Sequence, residues 1–97
     1  MMTYPERKTI YVDVDGTLLI KDRINVKLVS YIKSKKREGY DINIWSMRGK
    51  KYAEKWMIRA GLKYDVTHCL SKPGMIIDDE GWNWIKNCRV TKRCPKH

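Results

Sequence analysis

The chain has 97 residues, 42% of them hydrophobic, and carries 21 Lys and Arg against 11 Asp and Glu, a net charge of +10. That length holds one domain with one modest core, near the lower end of what folds without staples. No stretch approaches the ~20 apolar residues of a membrane span. The N-terminus lacks the apolar core of a signal peptide, so a cytoplasmic location is the expectation. Cys69, Cys88 and Cys94 are an odd set without a close CxxC pair. They point to a reducing compartment, with Cys69 buried and Cys94 an exposed thiol. Cys88, Cys94 and His97 lack the fourth ligand and the spacing of a zinc site.

The first predicted element is a strand from Thr9 that ends in Asp13-Val14-Asp15-Gly16-Thr17-Leu18. Burying carboxylates at the end of an apolar strand is costly unless something compensates, and the usual compensation is a metal ion. Strand geometry at Val14 sends Asp13 and Asp15 to one side. Gly16 lets the chain turn where a side chain would obstruct. In such a pair one carboxylate can attack phosphorus while the other handles protons. Asp-Gly alone is an ordinary turn signal; the whole string is what points to chemistry.

A short exposed piece, Lys21-Asp22-Arg23, comes next. Asn25 caps a helix with Leu28, Tyr31 and Ile32 on its apolar face, and Gly39 ends it. Tyr40 to Ser46 reads as a second strand ending in a hydroxyl, with Arg48 two residues on. A second helix runs from about Lys50 to Ala60, with Ala53, Trp56 and Ala60 on one face and Gly61 as its stop. Tyr64 to Leu70 reads as a short strand. Met75 to Asp78 is another, preceded by Lys72-Pro73 and followed by Asp79. Cys88-Arg89-Val90 reads as a last edge strand. Strands alternating with helices predict a parallel, Rossmann-like sheet.

In order, these pieces resemble four motifs of the haloacid dehalogenase (HAD) superfamily, most of whose members are phosphatases. The first is an apolar strand with Asp-x-Asp-Gly-Thr-Leu, the second a strand ending in Ser or Thr. The third is a Lys, and the fourth an apolar strand ending in Asp-Asp. The resemblance implies one three-layer Rossmann-like α/β domain over 1–97. Its central parallel sheet would have the order 5-4-1-2-3, with the site at the carboxyl ends of strands 1, 2 and 4. It implies that Asp13 is the nucleophile, forming an aspartyl-phosphate, and that Asp15 protonates the leaving group and then activates water. Ser46 would hydrogen-bond the phosphoryl group and Lys72 would offset negative charge. Gly16, Thr17 and Arg48 would bind substrate. Asp13, the carbonyl of Asp15, Asp78 and Asp79 would hold Mg²⁺, a cation that takes a few carboxylates plus water and phosphate oxygens. Read without the resemblance, Ser46 is a helix N-cap and Arg48 a solvated loop residue.

HAD enzymes usually insert a cap domain after the first motif or between the second and third. About 30 residues separate Asp15 from Ser46, and about 26 separate Ser46 from Lys72. The predicted helices and strands fill both gaps, so a capless, open site is expected. Such a site buries little of a small ligand, which favours large substrates or covering by a homo-oligomer.

Setting the four carboxylates of the two Asp-bearing motifs aside leaves 21 basic groups against 7 acidic ones. Such a surface attracts polyanions. Lys33, Lys35, Lys36 and Arg37 cluster at the end of the first helix, where they also complement its dipole. A basic tail runs from about 86 to 97, and Trp82 and Trp84 follow the Asp-Asp pair. The expected activity is that of a Mg²⁺-dependent phosphomonoester phosphatase acting on a phosphorylated substrate, with nucleotides and nucleic acid ends as candidates. The alternative is a nucleic-acid-binding module on a HAD scaffold with a vestigial site. In a receiver-like phosphoacceptor domain the phosphoryl group would persist on Asp13, whereas Asp15 is placed to activate water.

Overall fold

Ile42, Asn43 and Ile44 are buried in succession, the signature of a strand covered on both faces. In the computed structural model, which describes residues 7–96, that strand is central. Among these residues five strands and two α-helices are formed: β1 Thr9–Asp13, β2 Leu19–Ile20, β3 Arg23–Ile24, α1 Val26–Arg37, β4 Asp41–Ser46, α2 Lys50–Arg59 and β5 His68–Ser71. A 3₁₀ helix over Gly81–Asn87 follows. β1, β4 and β5 make a three-stranded parallel sheet in the order β1-β4-β5. β2 and β3 form a separate antiparallel hairpin.

Both α-helices sit where local chemistry places them. The Asn25 side chain accepts from the Leu28 amide at 3.3 Å and donates to the Thr17 carbonyl at 3.2 Å. It therefore caps α1 and ties that helix to the loop after β1. Lys35, Lys36 and Arg37 occupy the last turn, favourable for the dipole. Gly39 and Gly61 follow the two helices at φ +93° and +73°, a conformation that costs other residues more. Leu28, Tyr31 and Ile32 of α1 and Ala53 of α2 are buried with Val12, Val14, Leu18, Ile42, Ile44 and Leu62 in one core.

Several expectations are corrected. Lys21-Asp22-Arg23 is exposed, as expected, and in addition forms the tip of a hairpin. Its turn residues Lys21 and Asp22 have φ of +51° and +61°, as a two-residue hairpin turn requires. The Tyr64–Leu70 segment forms a strand only from His68, and that strand extends to Ser71. Met75–Asp78 forms no strand, and Met75 and Ile77 are 78% and 91% exposed. Three apolar residues after Pro73-Gly74 are few for a strand, and the Asp78 carboxylate accepts from the Glu80 amide at 2.8 Å. That Asx-type turn leads the chain into the 3₁₀ helix. Cys88–Val90 is likewise irregular. Of the order 5-4-1-2-3, three adjacent parallel strands are formed; no described residue pairs with the outer edge of β1. Cys94 is partly buried against the core rather than an exposed thiol, while His97 lies outside the described residues. No helix among the described residues is long and apolar enough to cross a membrane.

Ile44 is fully buried in the central strand. Ile44→Ala should cost about 3 kcal/mol, transfer and cavity terms together, read as a lower urea midpoint with an unchanged m-value.

Candidate active site

Register puts the site together. Asp13 lies opposite Trp45, Trp45 opposite Leu70, and Ser46 opposite Ser71. The three parallel strands thus end together, at the edge where open α/β sheets bind ligands. Lys72 leaves that edge with its amide donating to the Ser46 carbonyl at 3.0 Å. Its side chain crosses β4, passes over the Trp45 ring, and brings Nζ to 3.1 Å from Asp13 Oδ1.

The loop after β1 closes on itself. The amides of Gly16, Thr17, Leu18 and Leu19 donate to the carbonyls of Leu19, Val14, Asp13 and Val14. Gly16 stands at φ +81°, and a Cβ there would meet nothing within 4 Å. Glycine is needed for its backbone conformation, not to avoid an obstruction. Thr17 Oγ1 donates to Asp13 Oδ2 at 3.4 Å, so each oxygen of Asp13 has a partner.

Asp15 is held from the other direction. Arg48 Nε lies 3.1 Å from its Oδ2, and the Tyr52 hydroxyl donates to its Oδ1 at 2.7 Å. The Arg48 guanidinium also sits 5.1 Å from the Tyr52 ring centroid. The Tyr52 phenol is pushed above its ordinary value near 10. The leading cause is its hydrogen bond to Asp15; desolvation and the Asp15 charge add to it, and Arg48 opposes it. Burial raises the thiols of Cys69 and Cys94 as well, which keeps both protonated and weakly nucleophilic.

The structure therefore brings Asp13, Asp15, Thr17, Arg48 and Lys72 into one cluster, with Gly16 in its loop. The carboxylates are not buried: their side chains are 32% and 47% exposed, and two cations compensate them. Ser46 ends β4, as expected, and the bond it makes there is the capping one. It is 1% exposed, and its Oγ accepts from the Arg48 amide at 3.0 Å. That is the capping use of a hydroxyl at a strand-to-helix turn, and it fixes Arg48. Asp78 and Asp79 are not brought to the cluster. Among the described residues no group of three His, Cys, Asp or Glu side chains is placed to hold a metal. The donors suit Mg²⁺ by kind, but the positions of the described ones do not fit a metal centre.

Two contributors were not anticipated. Tyr52 lies in the first turn of α2 while Arg48 precedes the helix, so no helical spacing links the two in the sequence. Ser71 Oγ accepts from the Lys50 amide at 3.0 Å and fixes the start of α2; nothing local marks it. Comparison of the chain with protein-family models, with curated proteins and with solved structures returned no match.

A raised phenol is favoured in its protonated form. The Tyr52–Asp15 contact is therefore fully present below the ordinary tyrosine pKa and is lost as pH rises through the raised value. In an ultraviolet titration of the folded protein, Asp15→Asn should bring one phenol back toward about 10. Tyr52→Phe should delete that same high-pH phenol. An unchanged titration in Asp15→Asn would show that the contact does not form in solution.

Proposed function

We propose that this protein is a HAD-type phosphomonoester hydrolase working through an aspartyl-phosphate on Asp13. One observation carries the reading: Asp13 stands at the carboxyl end of a parallel strand with Lys72 at 3.1 Å, and Asp15 is gripped separately by Arg48 and Tyr52. Two neighbouring carboxylates with different partners are suited to different tasks. The adjacent order of the three parallel strands matches part of the Rossmann-like HAD sheet, which supports the family reading.

Lys72 and Arg48 attract the phosphate dianion and offset its charge, as fixed cations do at phosphoryl transfer sites. An Asp13 carboxylate oxygen attacks phosphorus in line, and the bond from phosphorus to the ester oxygen breaks. Asp15, protonated for this step, gives its proton to that leaving oxygen. The resulting Asp15 carboxylate then removes a proton from water, whose oxygen attacks phosphorus and expels Asp13. Phosphate leaves, Asp13 is again a carboxylate, and Asp15 again carries a proton. Thr17 and Tyr52 hold the two carboxylates at fixed angles throughout. The location proposed for this chemistry is the cytoplasm.

A second reading is a nucleic-acid-binding module on the same scaffold. It is favoured by the +10 net charge and by the position of Asp78 and Asp79 outside the cluster.

Phosphate release from an aryl phosphate and a panel of nucleotides, in Mg²⁺ and in chelator, tests the proposal. Asp13→Asn should lower turnover by about 10³-fold or more, the scale on which loss of a nucleophile reads, with its melting temperature showing a retained fold. Asp15→Asn should lose about 10²-fold or more, least for the aryl phosphate, whose leaving group needs a proton least. Equal activity of wild type and Asp13→Asn would end this reading. Salt-sensitive binding of nucleic acid, indifferent to Asp13→Asn, would establish the second.

A further inference from the structure

A cavity of about 350 Å³ opens beside the loop that follows Asp13. Gly16 and Thr17 of that loop line it, with Lys27 from the first turn of α1 and Lys92 and Arg93 from the C-terminal segment. Thr17 also donates to Asp13, so one side chain separates the cavity from the proposed nucleophile. Ile20 and Leu28 add apolar wall.

The tail does not reach this place by chance of composition. Cys94 packs against the core, and its thiol shares its one proton between the Pro95 carbonyl at 3.4 Å and the Lys27 carbonyl at 3.8 Å. Just before it, Thr91 Oγ1 accepts from the Arg93 amide at 3.3 Å and donates to the Arg93 carbonyl at 2.9 Å, which fixes a turn. These contacts bring Lys92 and Arg93 to Lys27. None of the three cations makes an ion pair among the described residues. An anion entering the cavity would relieve their mutual repulsion. α1 has no acidic residue in its first turn to serve as one.

We infer that the cavity is a subsite for a second phosphate, so that the substrate is a phosphomonoester whose leaving group itself bears phosphate. The inference rests on the hydrolase reading for the first phosphate only. Lys72 and Arg48 are engaged with the carboxylates, whereas Lys27, Lys92 and Arg93 are free of them. The chemistry is shared by a nucleoside bisphosphate and by a nucleic acid end carrying a terminal phosphate. In both, a phosphate lies within one nucleotide of the bond to be broken.

The test compares kcat/KM for an aryl phosphate, a nucleoside monophosphate, the corresponding nucleoside bisphosphate and an oligonucleotide with a terminal phosphate. Variants are Lys27→Ala and the tail double variant Lys92→Ala/Arg93→Ala. Wild type should prefer the bisphosphate to the monophosphate by about tenfold or more, the scale of one charge-assisted contact. The double variant should erase that preference and leave aryl phosphate hydrolysis within about twofold, since no ion pair or core contact is removed. Equal rates on bisphosphate and oligonucleotide would assign the subsite to a single phosphate; a further gain on the oligonucleotide would assign it to a strand end. Equal wild-type rates on monophosphate and bisphosphate, or a preference that survives in both variants, would overturn the inference. Calorimetric binding of the bisphosphate separates this from failure of the hydrolase reading. If no substrate is turned over, binding lost in the double variant still upholds the subsite, and no binding by wild type refutes it.

Discussion

Asp13 carries a negative charge at the end of an otherwise apolar strand, and a lysine from two strands away neutralises it. The rest of the arrangement depends on that pair. For Lys72 to reach Asp13, β5 must lie parallel to β4 and β4 to β1, with their carboxyl ends level. The Lys72 amide is fixed to the Ser46 carbonyl, so the side chain starts from a defined point. Both helices then have to cross back to the opposite edge of the sheet, which parallel pairing demands. Asp15 follows from the same turn. Once Asp13 is held, the closed loop through Leu19 sends Asp15 out toward α2, where Arg48 and Tyr52 meet it. The ion pairs are partly exposed and contribute little to stability. Their value lies in geometry, since they hold two carboxylates and two cations in defined positions at one end of the sheet.

Legibility tracked how local each signal was. The loop from Asp13 to Leu18, the cap at Asn25 and the stops at Gly39 and Gly61 could be read because each acts through residues a few positions apart. Lys72 could be read only through the order of motifs, and the structure brings it to Asp13. The hairpin Leu19–Ile24 was hidden because its turn uses Lys21 and Asp22 at positive φ, where Asn-Gly would have announced it. Ser46 reads both for chemistry and as a cap; its oxygen accepts from the Arg48 amide, which leaves its proton free to donate. Both uses want an oxygen at the end of a strand, and sequence does not separate them. The Met75–Asp78 run looked like a strand because apolar residues led to carboxylates. Whether such a run pairs depends on an edge to receive it, a tertiary property. Tyr52 was invisible in isolation because its role exists only when α2 packs beside the loop.

The basic surface divides into cations with partners and cations without. Lys33 pairs with Asp65 and reaches the Gly61 carbonyl, binding the end of α1 to the turn after α2. Lys35 meets Glu38 and the rings of Tyr31 and Tyr40. The helix-end cluster expected to attract polyanions is thus partly committed to holding the fold. The cations gathered beside the first loop have no such employment. Net charge therefore describes the whole molecule less well than the position of its unspent part.

The outer edge of β1 has a consequence for the molecule in bulk. Among the described residues nothing pairs with that edge, and an unpaired strand edge is a template on which another chain can lay a strand. Tyr11 of β1 is half-exposed and packs at a tilt against the Trp45 ring of β4, which adds apolar surface to the sheet. Opposing this are Arg7 and Lys8 at the entrance to the strand and the strongly positive whole. Two copies approaching edge to edge repel before their backbones can meet. Salt shortens that repulsion from ~10 Å at 0.1 M to ~3 Å at 1 M. Colloidal stability in this protein is then an electrostatic property, with low ionic strength as its safeguard.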